Sequence, residues 1–116
     1  MAALVLVALG PAPATAGDLP ERDVSTTVTL TPKNRLLMKG DVEPGHADKP
    51  VFVQRRDCLK PRCDWRPYER VQTNDAGRFR VFLEAPRKGS DYYRARVREH
   101  GGYAESFSQV WRVWAD

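Results

Sequence analysis

Short apolar runs that alternate with polar residues, broken about every ten residues by prolines and glycines, constrain this chain more than any other feature. A period of two sends successive side chains to opposite faces of a strand. The clearest case is Asp91 to Glu99, where Tyr93, Ala95 and Val97 read as inward and Tyr92, Arg94, Arg96 and Arg98 as outward. Leu36, Met38, Gly40 and Val42 share a face against Arg35, Leu37, Lys39, Asp41 and Glu43, with Leu37 the one breach of the pattern. The same reading pairs Val24, Val28 and Leu30, then Val51 with Val53, then Phe79, Val81 and Leu83 against Arg78, Arg80 and Phe82. In a last strand from Ser106 to Trp114, Trp111 and Val113 oppose Val110, Arg112 and Trp114. Trp65 to Thr73 reads as a strand at the rim of a sheet, because Pro67 cannot donate to a ladder. Asn74-Asp75-Ala76-Gly77 reads as a tight turn in which Gly77 takes a positive φ. No stretch keeps a helical period for three turns. About seven short strands at this spacing predict an all-β, antiparallel sandwich, and 116 residues suffice for one domain with one core.

The first sixteen residues carry no charged side chain, whereas the remaining hundred hold every Lys, Arg, Asp and Glu. Ala2 to Leu9 is apolar, Gly10 and Pro11 break the run, and Ala14-Thr15-Ala16 offers an A-x-A cleavage site. This pattern predicts a signal peptide over residues 1–16 and a mature domain over 17–116, secreted to the extracellular side. No Lys or Arg follows Met1 to supply a positive n-region. The rival reading, an apolar first strand of the domain, is weakened by Pro11 and Pro13. The run is too short for a membrane span, and neither a cysteine after the cleavage site nor an apolar C-terminal tail indicates an anchor.

Two cysteines, Cys58 and Cys63, enclose Leu59-Lys60-Pro61-Arg62. In an oxidising compartment this spacing predicts a local disulfide that stiffens a hairpin tip, with Lys60 and Arg62 at its basic end. A zinc site fails on ligand count, since no second cysteine pair exists and His46 and His100 lack ligand spacing. The C-x-x-C spacing of a redox centre is absent as well. The formal net charge of +4 is spread along the chain, which describes a solvated basic surface more often than a dedicated site.

From Leu36 to Val113 the chain resembles the immunoglobulin-like modules of actinobacterial secreted proteins. The residues that carry the likeness are Met38-Lys39-Gly40-Asp41-Val42-Glu43-Pro44, the run from Lys49 to Arg56, Trp65, and Thr73 to Phe79. Arg87-Lys88-Gly89-Ser90 leading into Tyr93-Arg94-Ala95-Arg96-Val97, and Gly102 to Ser106, complete it. The resemblance implies a small immunoglobulin-like sandwich in an extracellular setting, and it carries over no catalytic or binding residue.

Catalysis finds little support in the residues. His46 and His100 read as solvated turn residues whose loops could meet at one end of the sandwich, without a paired Ser or Cys nucleophile. Asp41 and Glu43 share an outward face, as a glycosidase pair would, but surface charge explains them more simply. Asn74 to Gly77 is too short for a calcium loop. The expectation is therefore a module that is not an enzyme and uses no cofactor or metal. Arg94, Arg96 and Arg98 would line one outward face and Arg78 and Arg80 another. Neighbouring strands would join them into a five-arginine patch for a cell-wall polyanion, against the simpler reading that alternating Arg guards a sheet from aggregation. Tyr92 and Trp114, outward by parity, are candidates for stacking on sugars, whereas Trp65 and Trp111 are expected in the core. Nucleic acid is a poor target in the absence of any recognised binding motif. The expected role is structural or adhesive at the cell surface. The alternative is a secreted inhibitor that presents the Cys58–Cys63 loop to a protein partner.

Overall fold

A computed structural model describes residues 4–8 and 19–115, and of the side chains in 4–8 only that of Val7. Nine strands follow one another without a helix among the described residues: β1 (Leu4–Ala8), β2 (Asp23–Leu30), β3 (Leu36–Glu43), β4 (Pro50–Arg56), β5 (Arg66–Gln72), β6 (Arg78–Leu83), β7 (Gly89–Val97), β8 (Ser106–Phe107) and β9 (Trp111–Ala115). One sheet has the order β2-β3-β6, and the other β1-β9-β7-β4-β5 with β8 also on β7. All these strands pair antiparallel. The chain changes sheet between β1 and β2 and again at β3–β4, β5–β6 and β6–β7, which makes the molecule a small immunoglobulin-like sandwich.

The inward sets are those that period two selects. Met38, Val51, Tyr93, Ala95, Val97 and Val113 are fully buried between the sheets. Polar side chains then tie one sheet to the other. Tyr68 stands edge-on to Tyr93 with ring centres 5.2 Å apart, and their hydroxyls donate to the carbonyls of Phe82 (2.9 Å) and Glu84 (2.7 Å) at the end of β6. Across the sandwich, Trp111 Nε1 donates to Thr26 Oγ1 at 2.9 Å, and Gln109 bonds both the hydroxyl and the carbonyl of Thr26. Arg22 is buried at one end. Its Nε and Nη1 donate to the carbonyls of Pro44 (2.9 Å) and His100 (3.0 Å), and its guanidinium lies 4.5 Å from the Tyr103 ring centre.

Several expectations need correction. Leu30, at the end of β2, is 46% exposed, and Thr26 takes the inward place between Val24 and Val28. Leu37 points outward yet is buried, because Thr29 and Phe82 flank it in register on the neighbouring strands. The last strand is two strands, since three steps along β7 from Arg96 to Tyr93 are matched by four from Phe107 to Trp111. That extra residue is a bulge, and Ser108 bridges it by accepting from the amide of Ala95 at 2.8 Å and donating its own amide to the Ala95 carbonyl. Pro67 lies at a register shift on the edge strand β5, as a strand proline must. The asparagine turn forms as read: Gly77 has φ of 76°, and Asn74 Oδ1 accepts from the amides of Ala76 and Arg78.

Leu4–Ala8, read from the sequence as part of a leader, lies along β9 as an edge strand, from Leu4 opposite Ala115 to Ala8 opposite Trp111. The Ala14-Thr15-Ala16 motif and the prolines before it lie outside the described residues.

Candidate functional site

The outward parity of β7 builds the most distinctive surface of the molecule. Tyr93, Ala95 and Val97 anchor the strand in the core, so Tyr92, Arg94 and Arg96 project from the other side. The same parity turns Phe52, Gln54 and Arg56 outward on β4, because Val51 and Val53 are buried. On β9 it turns Arg112 and Trp114 outward around Val113. Register then sets these side chains in rungs: Arg70–Phe52–Arg96–Phe107, Gln54–Arg94 and Arg56–Tyr92–Arg112.

Within this lattice guanidinium groups lie over aromatic rings. Arg94 is held between Trp65 and Phe107, with its carbon 4.3 Å and 4.1 Å from the two ring centres. Arg98 covers Phe52 at 4.1 Å, Arg112 covers Trp114 at 4.4 Å, and Arg56 approaches Trp65 at 5.1 Å. Such contacts fix a cation without neutralising it. Gln54 and Ser90 add uncharged partners, accepting from Arg94 Nε at 2.8 Å and Arg112 Nε at 3.1 Å. The one carboxylate bonded to these arginines among the described residues is Glu105, 2.7 Å from Arg96 Nε.

Burial lowers the Arg94 pKa to about 10; Glu105 opposes that shift, and repulsion from Arg56 and Arg96 adds to it. The group remains charged at neutral pH. A half-buried cation beside two others is a place where an anion is favoured. Two recesses of about 220 Å³ and 530 Å³ adjoin on this face and share Phe52, Arg70 and Arg98. Glu69 lines the first recess and Glu99 the second, and the second reaches Lys49, His46 and His100.

The arginines named from the sequence are thus divided. Arg94, Arg96 and Arg98 stand together, with Tyr92 and Trp114 on the same sheet. Arg78 and Arg80 belong to β6, which pairs with β3 in the other sheet, so no five-arginine patch forms. The outer faces of a sandwich look in opposite directions. Trp65 is not in the core; it lies half-buried on this outer face beneath Arg94 and Arg56. Trp111 does pack against the core. Trp114 already carries the Arg112 guanidinium on its ring, which leaves less of it for a sugar. Sequence reasoning passed over Phe52, Arg56, Arg70 and Arg112. The parity that selected Arg94 also marks Phe52, Arg56 and Arg112, whereas Arg70 and Trp65 depend on a register that parity does not give.

The histidines do meet at one end, lining the same recess. His46, however, is buried rather than solvated, with Nε2 2.9 Å from the carbonyl of Pro50 and Nδ1 buried without a partner. Burial lowers its pKa; the Pro50 contact opposes this, and Arg22, His100 and Lys49 lower it further. His100 is exposed. Asp41 is bonded to Arg78 at 3.0 Å, and Glu43 faces Asp23 across the β2–β3 ladder. Among the described residues no group of three or more His, Cys, Asp or Glu is placed to hold a metal ion.

Cys58 and Cys63 lie at disulfide distance, with Cα atoms 5.6 Å apart. Arg56 Nε donates to the carbonyl of Cys58 and Nη2 to that of Lys60, and the amide of Cys63 bonds the Lys60 carbonyl at 2.9 Å. Leu59 is 51% exposed, and Lys60 and Arg62 are exposed with it. No helix among the described residues is long and apolar enough to cross a membrane. In comparisons with known proteins, the chain matches no family model, no curated protein and no solved structure.

Proposed function

We propose that this chain is a secreted, non-enzymatic module of the immunoglobulin-like kind, adhesive at the cell surface, which holds a cell-wall polyanion on the outer face of its larger sheet. One observation carries the reading. Arg56, Arg70, Arg94, Arg98 and Arg112, each over an aromatic ring, crowd one face with Arg96, which bonds Glu105, the one carboxylate bonded to these arginines among the described residues. A surface arginine that serves only solubility needs no such bracing. The rings gather the cations along one face, with Arg56 and Arg94 sharing Trp65 and Arg70 and Arg98 sharing Phe52, which suits a repeating anion more than a single small ligand. The residues that resemble actinobacterial secreted modules, and a cysteine pair fit for an oxidising compartment, support the extracellular setting.

The test is co-sedimentation with purified bacterial cell walls at low and high salt. Binding at low salt that high salt abolishes is expected, because screening weakens exposed charges. Arg70→Gln with Arg96→Gln and Arg98→Gln should sharply weaken it while leaving the fold intact, as judged by an unchanged far-ultraviolet spectrum. Binding that survives high salt would move the site to the aromatic surfaces at Trp114 and Tyr92. Absence of binding at both salts would sink the proposal.

A second reading, an inhibitor that offers its disulfide loop to a protein target, draws on the two carbonyl contacts by which Arg56 fixes that loop. Its check is a panel of trypsin-like proteases. Inhibition lost on Lys60→Ala with Arg62→Ala would support it, and a panel left uninhibited would remove it.

A further inference from the structure

The opposite face, on the β2-β3-β6 sheet, carries a second site of different chemistry. Lys39 sits directly across from Arg80 in the β3–β6 ladder and across from Thr27 in the β2–β3 ladder. Like charges placed directly opposite on neighbouring strands destabilise a sheet. The nearest acid on this face, Asp41, does not relieve them, because it is bonded to Arg78. Lys39 and Arg80 have no ion pair or hydrogen bond among the described residues. Both line an open cavity of about 770 Å³ shared with Ser25, Thr27, Gln72, Asn74 and the bonded Asp41–Arg78 pair. That volume lies in the range of pockets that hold drug-sized ligands.

The uncharged groups around the pair are selective. Asn74 Oδ1 is occupied by the amides of Ala76 and Arg78, which leaves its NH2 as a donor. Gln72 Nε2 is spent on the carbonyl of Asp48, which leaves its oxygen as an acceptor. The hydroxyls of Ser25 and Thr27 do either and have no partner among the described residues. A bare phosphate or sulfate is chiefly an acceptor and leaves the Gln72 oxygen unmatched. A ligand that matches the whole set presents an oxyanion to Lys39 and Arg80 and hydroxyl groups to the rest. From this pattern we infer that the face binds an acidic saccharide, with its anionic group between Lys39 and Arg80 and its ring hydroxyls on Ser25, Thr27, Gln72 and Asn74.

The site stands apart from the arginine–aromatic face, so either can fail alone. Its test is titration of the full chain, followed by amide chemical shifts, with four probes: digalacturonate, a hexose phosphate, inorganic phosphate and a neutral disaccharide. Digalacturonate or the hexose phosphate is expected to bind and to shift the amides of Ser25, Thr27, Lys39 and Arg80; which of them binds tighter identifies the oxyanion as carboxylate or phosphate. Lys39→Thr should weaken that binding about tenfold. In the ligand-free protein the same substitution should raise the melting temperature by about 1–5 °C, because it removes the like-charge pair. Arg96→Gln, on the other face, should leave the titration unchanged. Three results would each overturn the inference: a neutral disaccharide that binds as tightly as the acid, inorganic phosphate that does so, or a Lys39→Thr variant that melts lower and binds normally.

Discussion

At Gly40 the sandwich depends on the absence of a single carbon. A Cβ there would lie 2.3 Å from two ring carbons of Phe79 and 3.1 Å from the carbonyl oxygen of Ser25. The contact is with the far edge of the buried Phe79 ring, so the ring must turn within the core or the strands must shift. Gly40→Ala should cost about 1–3 kcal/mol, seen as a lower urea midpoint with an unchanged slope. A midpoint equal to that of the unsubstituted chain would mean that Phe79 moves freely. His46 makes a second residue-scale case, through pH. Its folded pKa is depressed, chiefly by burial, so on acidification the unfolded chain takes up a proton before the folded one. Stability therefore falls as pH drops below the unperturbed value of about 6.5. Asp91 pulls the other way, because burial raises its pKa from 3.8 and folding is favoured when it is protonated. The His46 contribution is isolated by difference: between pH 7.5 and pH 5 the urea midpoint of His46→Gln should decline less than that of the native chain. Parallel declines would refute it. The burial that drives this effect was not legible in the sequence, where Pro44-Gly45-His46 reads only as a turn. The ring lies where Arg22 and His100, both distant in the chain, come close enough to act on it, and local composition does not report those.

At the scale of elements, alternation was enough to find β2, β3, β4, β6 and β7 and to assign their faces, apart from Leu30 and Leu37. It succeeded because each strand has one face in the core and one in water, so a slip of one residue would reverse every side chain. What it left open was which strand lies beside which. The arginines of β6 and β7 look alike in sequence and adjoin in chain order, yet Arg80 faces Lys39 on one sheet and Arg94 faces Gln54 on the other. Sheet order is settled by crossovers and by packing of the whole core, and no local period encodes it. The bulge that separates β8 from β9 did leave a trace that was passed over, since Ser108 and Gln109 are adjacent polar residues where strict alternation allows only one. β1 is the element on which sequence and structure bear most differently. Its apolar residues read as a leader, and in the intact chain they occupy the edge of β9. A chain begun at Gly17 should therefore keep its core, because the fully buried Met38 and Tyr93 lie on strands that do not pair with β1. It should lose protection at those β9 amides that face β1. Hydrogen exchange on the two chains checks this, and equal protection along Arg112 to Trp114 would show that the β1 ladder contributes nothing.

The molecule as a whole presents two cationic surfaces back to back, because the two sheets pack by their apolar faces and turn their arginines outward. If the larger sheet holds a wall polyanion and the smaller one an acidic saccharide, a single domain has two sites that no one flexible chain needs to occupy together. The core between them is only two layers thick, and the shortest dimension of the molecule is 21 Å. Two polymer strands could then be held at about that separation. Valency of this kind changes the outcome of binding more than its strength, since linked sites convert adhesion into cross-linking. The full chain should therefore make a dilute solution of an acidic polysaccharide turbid, with a maximum at intermediate protein and clearing in excess as each site finds its own strand. Lys39→Thr disables one face, and Arg70→Gln with Arg96→Gln and Arg98→Gln disables the other. Each variant should still bind immobilised polymer, yet neither should produce turbidity, and a mixture of the two should not restore it. Turbidity that persists in either variant would mean that one face suffices to aggregate the polymer by neutralising its charge. In that event the second face would act as a separate site rather than as half of a bridge.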